Sequence, residues 1–539
     1  MKTIQLFIFV LLIGFAQAQV RQTAYIELEI DKKTGSDYLI IEADSLGALC
    51  VLESSKTEPD NRRQLIFAFF DSELNKSWEQ AYLIKSTSKI LNHYYDMGFV
   101  YILVQEKDFD YSIMKLSLED GIISQIAFTD LDDFIVTHFK ASNGTLLLGG
   151  TIKDLPAVIL KRYSEDNKPI VLPSINQLKA RLIDIVIDTE NERLLVLMQK
   201  KRSINNESFY ANWYDLKGNI LLNREVPLTK DYNLLTFRPY LKDDGSLLLF
   251  GSYGLKNESL AQGIYSLELN NGKLGENRFY DFGYLNNFFN YLPEKRREKY
   301  IQKVKERLKD GNRKRFGYKL FVHNLEIIDD NIIFMAESYD ARSDFSRNQS
   351  MQNNQFYGSS LDPSMRRYVR RLGAYSYLPS AFAIDPWWDN KPFPDEFNYV
   401  HAIALGFDQN GKLLWDNSYT FDDTESEFPI ELAKVHVQND SLAFFQYDSE
   451  EYFFKTSDKS TFIEKNAVAD TPLLFEEDVI DNFDHGGVIK WYGGNFLVSG
   501  VKRMRNKMDN KKNRHVFFIS KFTHNSEWKE AKKEKGKDN

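Results

Sequence analysis

Short apolar runs bounded by turn residues recur along the chain. The clearest is Asp243-Asp-Gly-Ser-Leu-Leu-Leu-Phe-Gly251, followed after a loop by Ala261-Gln-Gly-Ile-Tyr-Ser-Leu-Glu-Leu-Asn-Asn-Gly-Lys273. The first run has no polar face and reads as a strand covered on both sides. The second alternates and reads as a strand with one face more exposed. Related pairs follow the same order. Gly47–Leu52 leads to Gln64–Asp71, Phe99–Val104 to Tyr111–Leu118, Gly144–Gly150 to Ala157–Tyr163, and Arg193–Met198 to Tyr210–Asp215. A sixth unit starts at Asn331–Ala336 and resumes only at Val400–Phe407. A seventh pairs Ser441–Phe445 with Tyr452–Lys455, and an eighth pairs Gly494–Gly500 with Val516–Phe522. Three copies open and close the apolar strand with glycine, at Gly144/Gly150, Gly245/Gly251 and Gly494/Gly500. Such glycines are expected to supply the positive φ of tight turns at both ends.

A further apolar segment precedes each unit, as in Ile183–Ile187 and Leu432–Val437, which makes about four strands per repeat. Repeats of this length built from short antiparallel strands predict an all-β fold, a β-propeller of seven or eight four-stranded blades, with a pair of separate β-domains as the alternative. Which number holds depends on whether the two chain ends complete one shared blade. The propeller is expected over 19–528.

Two insertions break the period. Within 283–315, Leu292–Gly311 predicts a basic helix, with Pro293 in its first turn, Gly311 at its C-terminal cap and Ile301, Val304 and Leu308 on a narrow apolar stripe. Such a helix either touches an anionic membrane surface peripherally or packs its stripe on the propeller with its charges solvated. The second insertion, 340–398, splits the sixth unit. Its polar start gives way to Arg366, Arg367, Arg370 and Arg371, then to Tyr375, Tyr377, Trp387 and Trp388 among prolines. Arg, Tyr and Trp dominate interface hot spots, so these eight residues are the expected binding residues. The alternative is an ornament packed inward on the blades.

Composition refines the picture at few points. Aromatics make up 14% of the 539 residues, with 40 Phe and 29 Tyr, which favours strands. The net charge of −8 implies neither a polyanionic nor a strongly cationic partner, and nucleic acid is not expected. Lys2, the apolar run Leu6–Phe15 and Ala16-Gln-Ala18 predict a signal peptide over 1–18, hence export to the periplasm, the outer membrane or the cell exterior. No later run is apolar enough for a transmembrane segment. A Lys-rich tail, 529–539, follows Trp528. The single cysteine, Cys50, lies in an apolar run and reads as a buried hydrophobe, so no disulfide framework is expected.

Chemistry-bearing motifs are sparse. The eight histidines show no zinc spacing. Asp481-Asn-Phe-Asp-His-Gly-Gly487 offers a cation or base site, but turn chemistry explains its residues equally well. Asp130-Leu-Asp-Asp133 lacks calcium-loop spacing. Asp408-x-Asn-Gly-x-x-x-Trp415 is similar to the blade ending of quinoprotein-like propellers, and Phe70-Asp71…Trp78 echoes it. That likeness supports the architecture and not a quinone; no cofactor and no metal are expected.

The order of the helix at Glu294–Lys309, the strand at Asn331–Glu337 and the segment Ala402–Trp415 resembles a family of uncharacterised secreted proteins of Bacteroidota, over about 240–455. The longer 340–398 insertion departs from that family. The resemblance implies an exported propeller-like protein in a periplasmic or outer-membrane setting and supplies no activity. The expected function is therefore a non-catalytic binding or scaffold module of the cell envelope, acting through contacts with an envelope protein. Two alternatives stand beside it. One is an enzyme acting on a glycan or peptide at the channel mouth, with Trp387 and Trp388 stacking on sugar. The other is a small-ligand sensor.

Overall fold

The computed structural model describes residues 20–525 except 31–37, 310–314, 343–395, 460–464, 507–512 and other stretches of four residues or fewer. The expected binding residues Arg366, Arg367, Arg370, Arg371, Tyr375, Tyr377, Trp387 and Trp388 lie outside the described residues, as do 1–18 and 529–539.

The fold is all-β, an eight-bladed β-propeller, and its sheets are antiparallel and follow chain order. The first blade is Tyr38–Ala43, Gly47–Thr57, Arg62–Phe70 and Lys76–Lys85; the second is Lys89–Asp96, Phe99–Lys107, Asp110–Ser117 and Ile123–Phe128. Phe134–Ser142, Thr145–Ile152, Leu155–Arg162 and Ile170–Val171 form the third, and Arg181–Asp188, Arg193–Ser203, Asn206–Asp215 and Ile220–Pro227 the fourth. In the fifth blade the first strand is broken into Tyr232–Leu234 and Arg238–Leu241, ahead of Leu247–Leu255, Gly263–Asn270 and Lys273–Asp281. The sixth repeats that break, with Lys319–Val322 and Glu326–Ile328 ahead of Asn331–Arg342, Glu396–Phe407 and Leu413–Ser426. The inserted segment thus leaves one strand and re-enters the next, which pair as far as Arg342 opposite Glu396.

Two compact units divide the chain. Six blades form one, residues 37–431 without 72–75; the other holds the seventh and eighth blades. The seventh is Ala433–Gln438, Ser441–Asp448, Glu451–Asp458 and Lys465–Ala469. The eighth takes Asp478–Lys490, Asn495–Asn506 and Asn513–His524 from the C-terminal end and its fourth strand, Val20–Glu29, from the N-terminal end. The shared blade accounts for the count of eight. That strand is held by charge as well as by the ladder. The Lys502 ammonium, fully buried, lies 3.5 Å from Glu27, and Arg514 bridges Glu27 at 2.8 Å, Glu29 at 3.0 Å and Asp478.

In the six-blade unit each pair of consecutive blades encloses its own apolar cluster. Leu49, Phe67, Val100 and Met114 meet between the first and second blades; Leu195, Phe209, Leu249 and Tyr265 meet between the fourth and fifth. Fully covered strands such as Leu247–Leu255 therefore carry no solvent face. Cys50 is wholly buried, and burial pushes its thiol far above the usual range, so it packs as a hydrophobe. Trp78 stacks on Phe69 in the first blade and donates to the Leu118 carbonyl in the second at 2.8 Å. Trp415 lies instead across Gly406 of its own hairpin.

The turns explain the Asp-x-x-Gly signals. Asp215 Oδ1 accepts from the backbone N–H of Lys217 and Asn219, and Asp408 Oδ1 from those of Asn410 and Lys412. Gly218 and Gly411 then take φ of 85° and 75°. The paired glycines differ from expectation. Gly144 and Gly245 do have positive φ, but Gly494 does not, and Gly150, Gly251 and Gly494 are required by crowding. A Cβ at Gly251 would stand 1.8 Å from the Thr236 carbonyl oxygen. Gly251→Ala is therefore expected to cost about 1–3 kcal/mol in chemical denaturation. Gly144→Asn, where nothing lies within 4 Å and Asn tolerates the left-handed region, should be nearly silent.

The predicted helix, α1, spans Glu294–Lys309. The Pro293 carbonyl accepts from the Arg296 and Arg297 N–H groups and opens it. Val304 is buried in the cluster between the fifth and sixth blades, and Tyr300 and Ile301 pack beside it. Gly311 and the Leu308 side chain lie outside the described residues. Among the described residues no helix is long and apolar enough to cross a membrane.

Candidate functional site

A β-bulge adds one residue to a strand, bends it and re-aims the side chain that follows. The first strands of the second, third and fourth blades each carry one at the same level, between Ile90 and Asn92, Val136 and His138, and Leu182 and Asp184. The breaks in the first strands of the fifth and sixth blades fall at the matching place, at residues 235–237 and 323–325. Four polar side chains thereby share one level of the sheets. Asn92 lies opposite Leu103, His138 opposite Gly149, Asp184 opposite Leu197, and Arg238 opposite Phe250. All four line a cavity of about 300 Å³ in the six-blade unit. Glu42 and Asp44 from the first blade, Tyr94 and Tyr95 from the second, and Lys140 from the third complete its polar wall.

Each ring residue is fixed by a backbone group that a bulge or break sets free. Asn92 Oδ1 accepts from the His93 N–H at 2.7 Å, and Asp184 Oδ1 from the Ile185 N–H at 2.8 Å. His138 Nε2 donates to the carbonyl of Ile183, the bulged residue of the next blade, at 3.0 Å. Its Nδ1 accepts from the Thr137 hydroxyl at 2.8 Å. The Arg238 guanidinium reaches the sixth blade in the same way and donates to the Val322 and His323 carbonyls. Buried polar backbone needs such partners, so the ring is first a device for satisfying broken strands.

Electrostatics follow from this geometry. Burial lowers His138 despite the nearby Asp184 carboxylate, and burial alone lowers His93 to about 4, so both rings are neutral at pH 7. Lys140 is raised, chiefly by Asp184, whose Oδ1 lies 3.8 Å from its ammonium. The lining thus combines first-blade carboxylates with Lys140, Arg238 and two tyrosines.

With both nitrogens engaged, His138 has no free lone pair with which to act as a base. Among the described residues, Ser338 and His401 form a close hydroxyl–imidazole pair with a free ring nitrogen, Oγ to Nδ1 at 2.7 Å, but both are buried, with His401 wholly inaccessible and lowered to about 3. The His323 ring, 3.3 Å from the fully buried Glu337, does not line the cavity. Among the described residues no group of three His, Cys, Asp or Glu side chains is arranged to hold a metal.

The motifs singled out in the sequence fall elsewhere. Asp481–Gly487 lies within a strand carrying two bulges and is not a turn; the side chains of 482–486 are outside the described residues. Asp130 and Asp132 are outside them too, and Asp133 is exposed with a φ of 58°. The four ring residues form no recognisable motif in the sequence, and their signal is a polar residue that interrupts an apolar first strand at even intervals, at 92, 138 and 184.

Fold and site together define an eight-bladed propeller with a polar cavity lined by its first strands. No protein-family model matches the chain, and none of the curated proteins does. Among solved structures, the polysaccharide lyase Uly1 aligns over 94% of this chain and 100% of its own at 9% identity, with a TM-score of 0.39. A prolyl endopeptidase aligns over 87% of this chain at 8% identity and a TM-score of 0.41, and the match spans 55% of that protein. A protein of unknown function from Dyadobacter fermentans aligns over 94% of this chain and 100% of its own at 10% identity, with a TM-score of 0.30. These likenesses are remote, and the propeller fold stands on the sheet topology.

Proposed function

We propose that the chain is a non-catalytic binding module of the cell envelope, exported through its N-terminal leader and related to the secreted propeller-like proteins of Bacteroidota. Its recognition site is the cavity of the six-blade unit, and its ligand is a small polar group, a side chain or chain end presented by an envelope protein. The observation that carries this reading is the fixation of Asn92, His138, Asp184 and Arg238 by backbone hydrogen bonds. A wall whose polar groups are already held binds without further ordering cost.

The experiment is photo-crosslinking in cells from a photoreactive residue at position 94, in the natural chain and in the Lys140→Ala/Asp184→Ala variant. That ion pair is partly exposed and contributes within about 1 kcal/mol, and the melting temperature of both chains is compared because Asp184→Ala also removes the acceptor for the Ile185 N–H. A crosslink to one envelope protein, reduced about tenfold in the variant, is the expected result. An equal crosslink in both chains removes the cavity from the reading. Hydrolysis of a glycan or peptide by the purified chain, lost in the same variant, replaces the binding module with an enzyme.

A further inference from the structure

Eight cations on α1, from Lys295 to Lys309, stand against only three glutamates, and among the described residues no ion pair includes any residue of the helix. Two of them, Lys305 and Lys309, continue a line begun by Ile301, one helical turn apart at each step. They form one wall of a groove of about 430 Å³ whose opposite wall is the turn at residues 283–286. That turn is fixed at both ends. Asp281 accepts from the Gly283 N–H at 2.9 Å, and Asp416 accepts from the Asn286 N–H at 3.0 Å. The helix is anchored on the other side by Val304 and by Tyr300, whose ring lies 4.9 Å from that of Phe289. Tyr284 stands 66% exposed on the turn wall beside buried Leu285.

We propose that this groove docks an acidic peptide segment of a protein partner, at a site separate from the cavity. Two carboxylates meet Lys305 and Lys309, and one apolar or aromatic side chain lies between Ile301 and Tyr284. An amphipathic helix that binds a bilayer must turn its apolar stripe to the lipid. Here Val304, at the centre of that stripe, is 1% exposed and packs in the cluster between the blades, so a peptide is favoured over a membrane. Glu298 and Glu306 stand on the far flank of the lysine line, where they restrict the acidic ligand to the 283–286 side.

The probe is a fluorescein-labelled decapeptide with Glu-Leu-Glu between neutral flanks, whose carboxylates sit about 7 Å apart when extended. Its Gln-Leu-Gln counterpart is the control, and both are titrated by anisotropy against the full chain. The Glu peptide should bind at least about tenfold more tightly than the Gln peptide and weaken in 0.5 M salt. Lys305→Gln/Lys309→Gln, with an unchanged melting temperature, should lose that preference, and Tyr284→Ala should weaken both peptides. Lys140→Ala/Asp184→Ala should bind as the natural chain does. Equal binding of the two peptides, or a preference that survives the lysine substitutions, overturns the proposal. So does loss of binding in the cavity variant, or displacement of the Glu peptide by phosphatidylglycerol vesicles.

Discussion

Replacing Glu27 by Ala is expected to lower the stability of the two-blade unit by about 3–5 kcal/mol, the usual cost of stranding one half of a buried ion pair. The Lys502 side chain is wholly inaccessible, and Glu27 is the carboxylate it approaches, with the Tyr25 hydroxyl as its hydrogen-bond partner. Arg514 would lose one of its three carboxylates in the same step. Burial already lowers Lys502 to about 8 from 10.5, so the folded state binds fewer protons than the unfolded between those values. The penalty of burying this lysine is therefore relieved as pH rises from 8 towards 10.5. Urea unfolding of Glu27→Ala, Lys502→Met and the double variant checks this. Because the apolar lysine replacement leaves no buried cation, the double variant should regain most of the loss. An additive loss would mean that the two side chains do not interact.

The second large effect is acid instability that begins well above the carboxylate range. Burial holds His93 at about 4, and His401 and His436 at about 3, against an ordinary value of 6.5. His436 is also constrained by contact with His524, Nδ1 to Nδ1 at 2.8 Å, where one ring donates and the other must accept. The unfolded chain protonates all three below pH 6.5 and the folded chain does not, so stability falls as pH drops through 6.5 towards 4. Each histidine contributes a slope of about 1.4 kcal/mol per pH unit. His93 and His401, both in the six-blade unit, together remove about 5 kcal/mol within about two pH units, the low end of a typical domain's stability, and His436 acts in the two-blade unit. Urea unfolding at pH 7, 6 and 5 gives that slope directly. His401→Asn should reduce it by about one proton, and a flat profile from pH 7 to 5 would contradict neutral burial of these rings.

The blades were legible in the sequence because their turns and covered strands are local. Asp215 and Asp408 signal their turns with side chains that bond the next backbone N–H groups, and Leu247–Leu255 is apolar because a blade covers each face. The choice between seven and eight blades was not local, since Val20–Glu29 finds its partners in Asn513–His524. The same distance hid the Glu27–Lys502 pair. The bulges were illegible for another reason. A single extra residue such as Thr137 or Ile183 leaves the hydrophobic pattern almost intact while re-aiming its neighbour. The closing glycines show the limit of local reading as well. The sequence reads Gly251 as a turn residue, but the Thr236 carbonyl oxygen, in the break of the neighbouring first strand, decides it.

The shared eighth blade also orders events in time. A chain made from its N-terminus presents Tyr25 and Glu27 first, yet the strand that carries them has no edge to join until residue 524 exists. Until then that segment lacks its ladder partner, and Phe517 and Phe518, buried in the finished blade, lie opposite Leu28 and Glu27 in the pairing. Closure of this blade therefore needs both segments, and interruption of the chain short of residue 513 leaves the first strand without its mate.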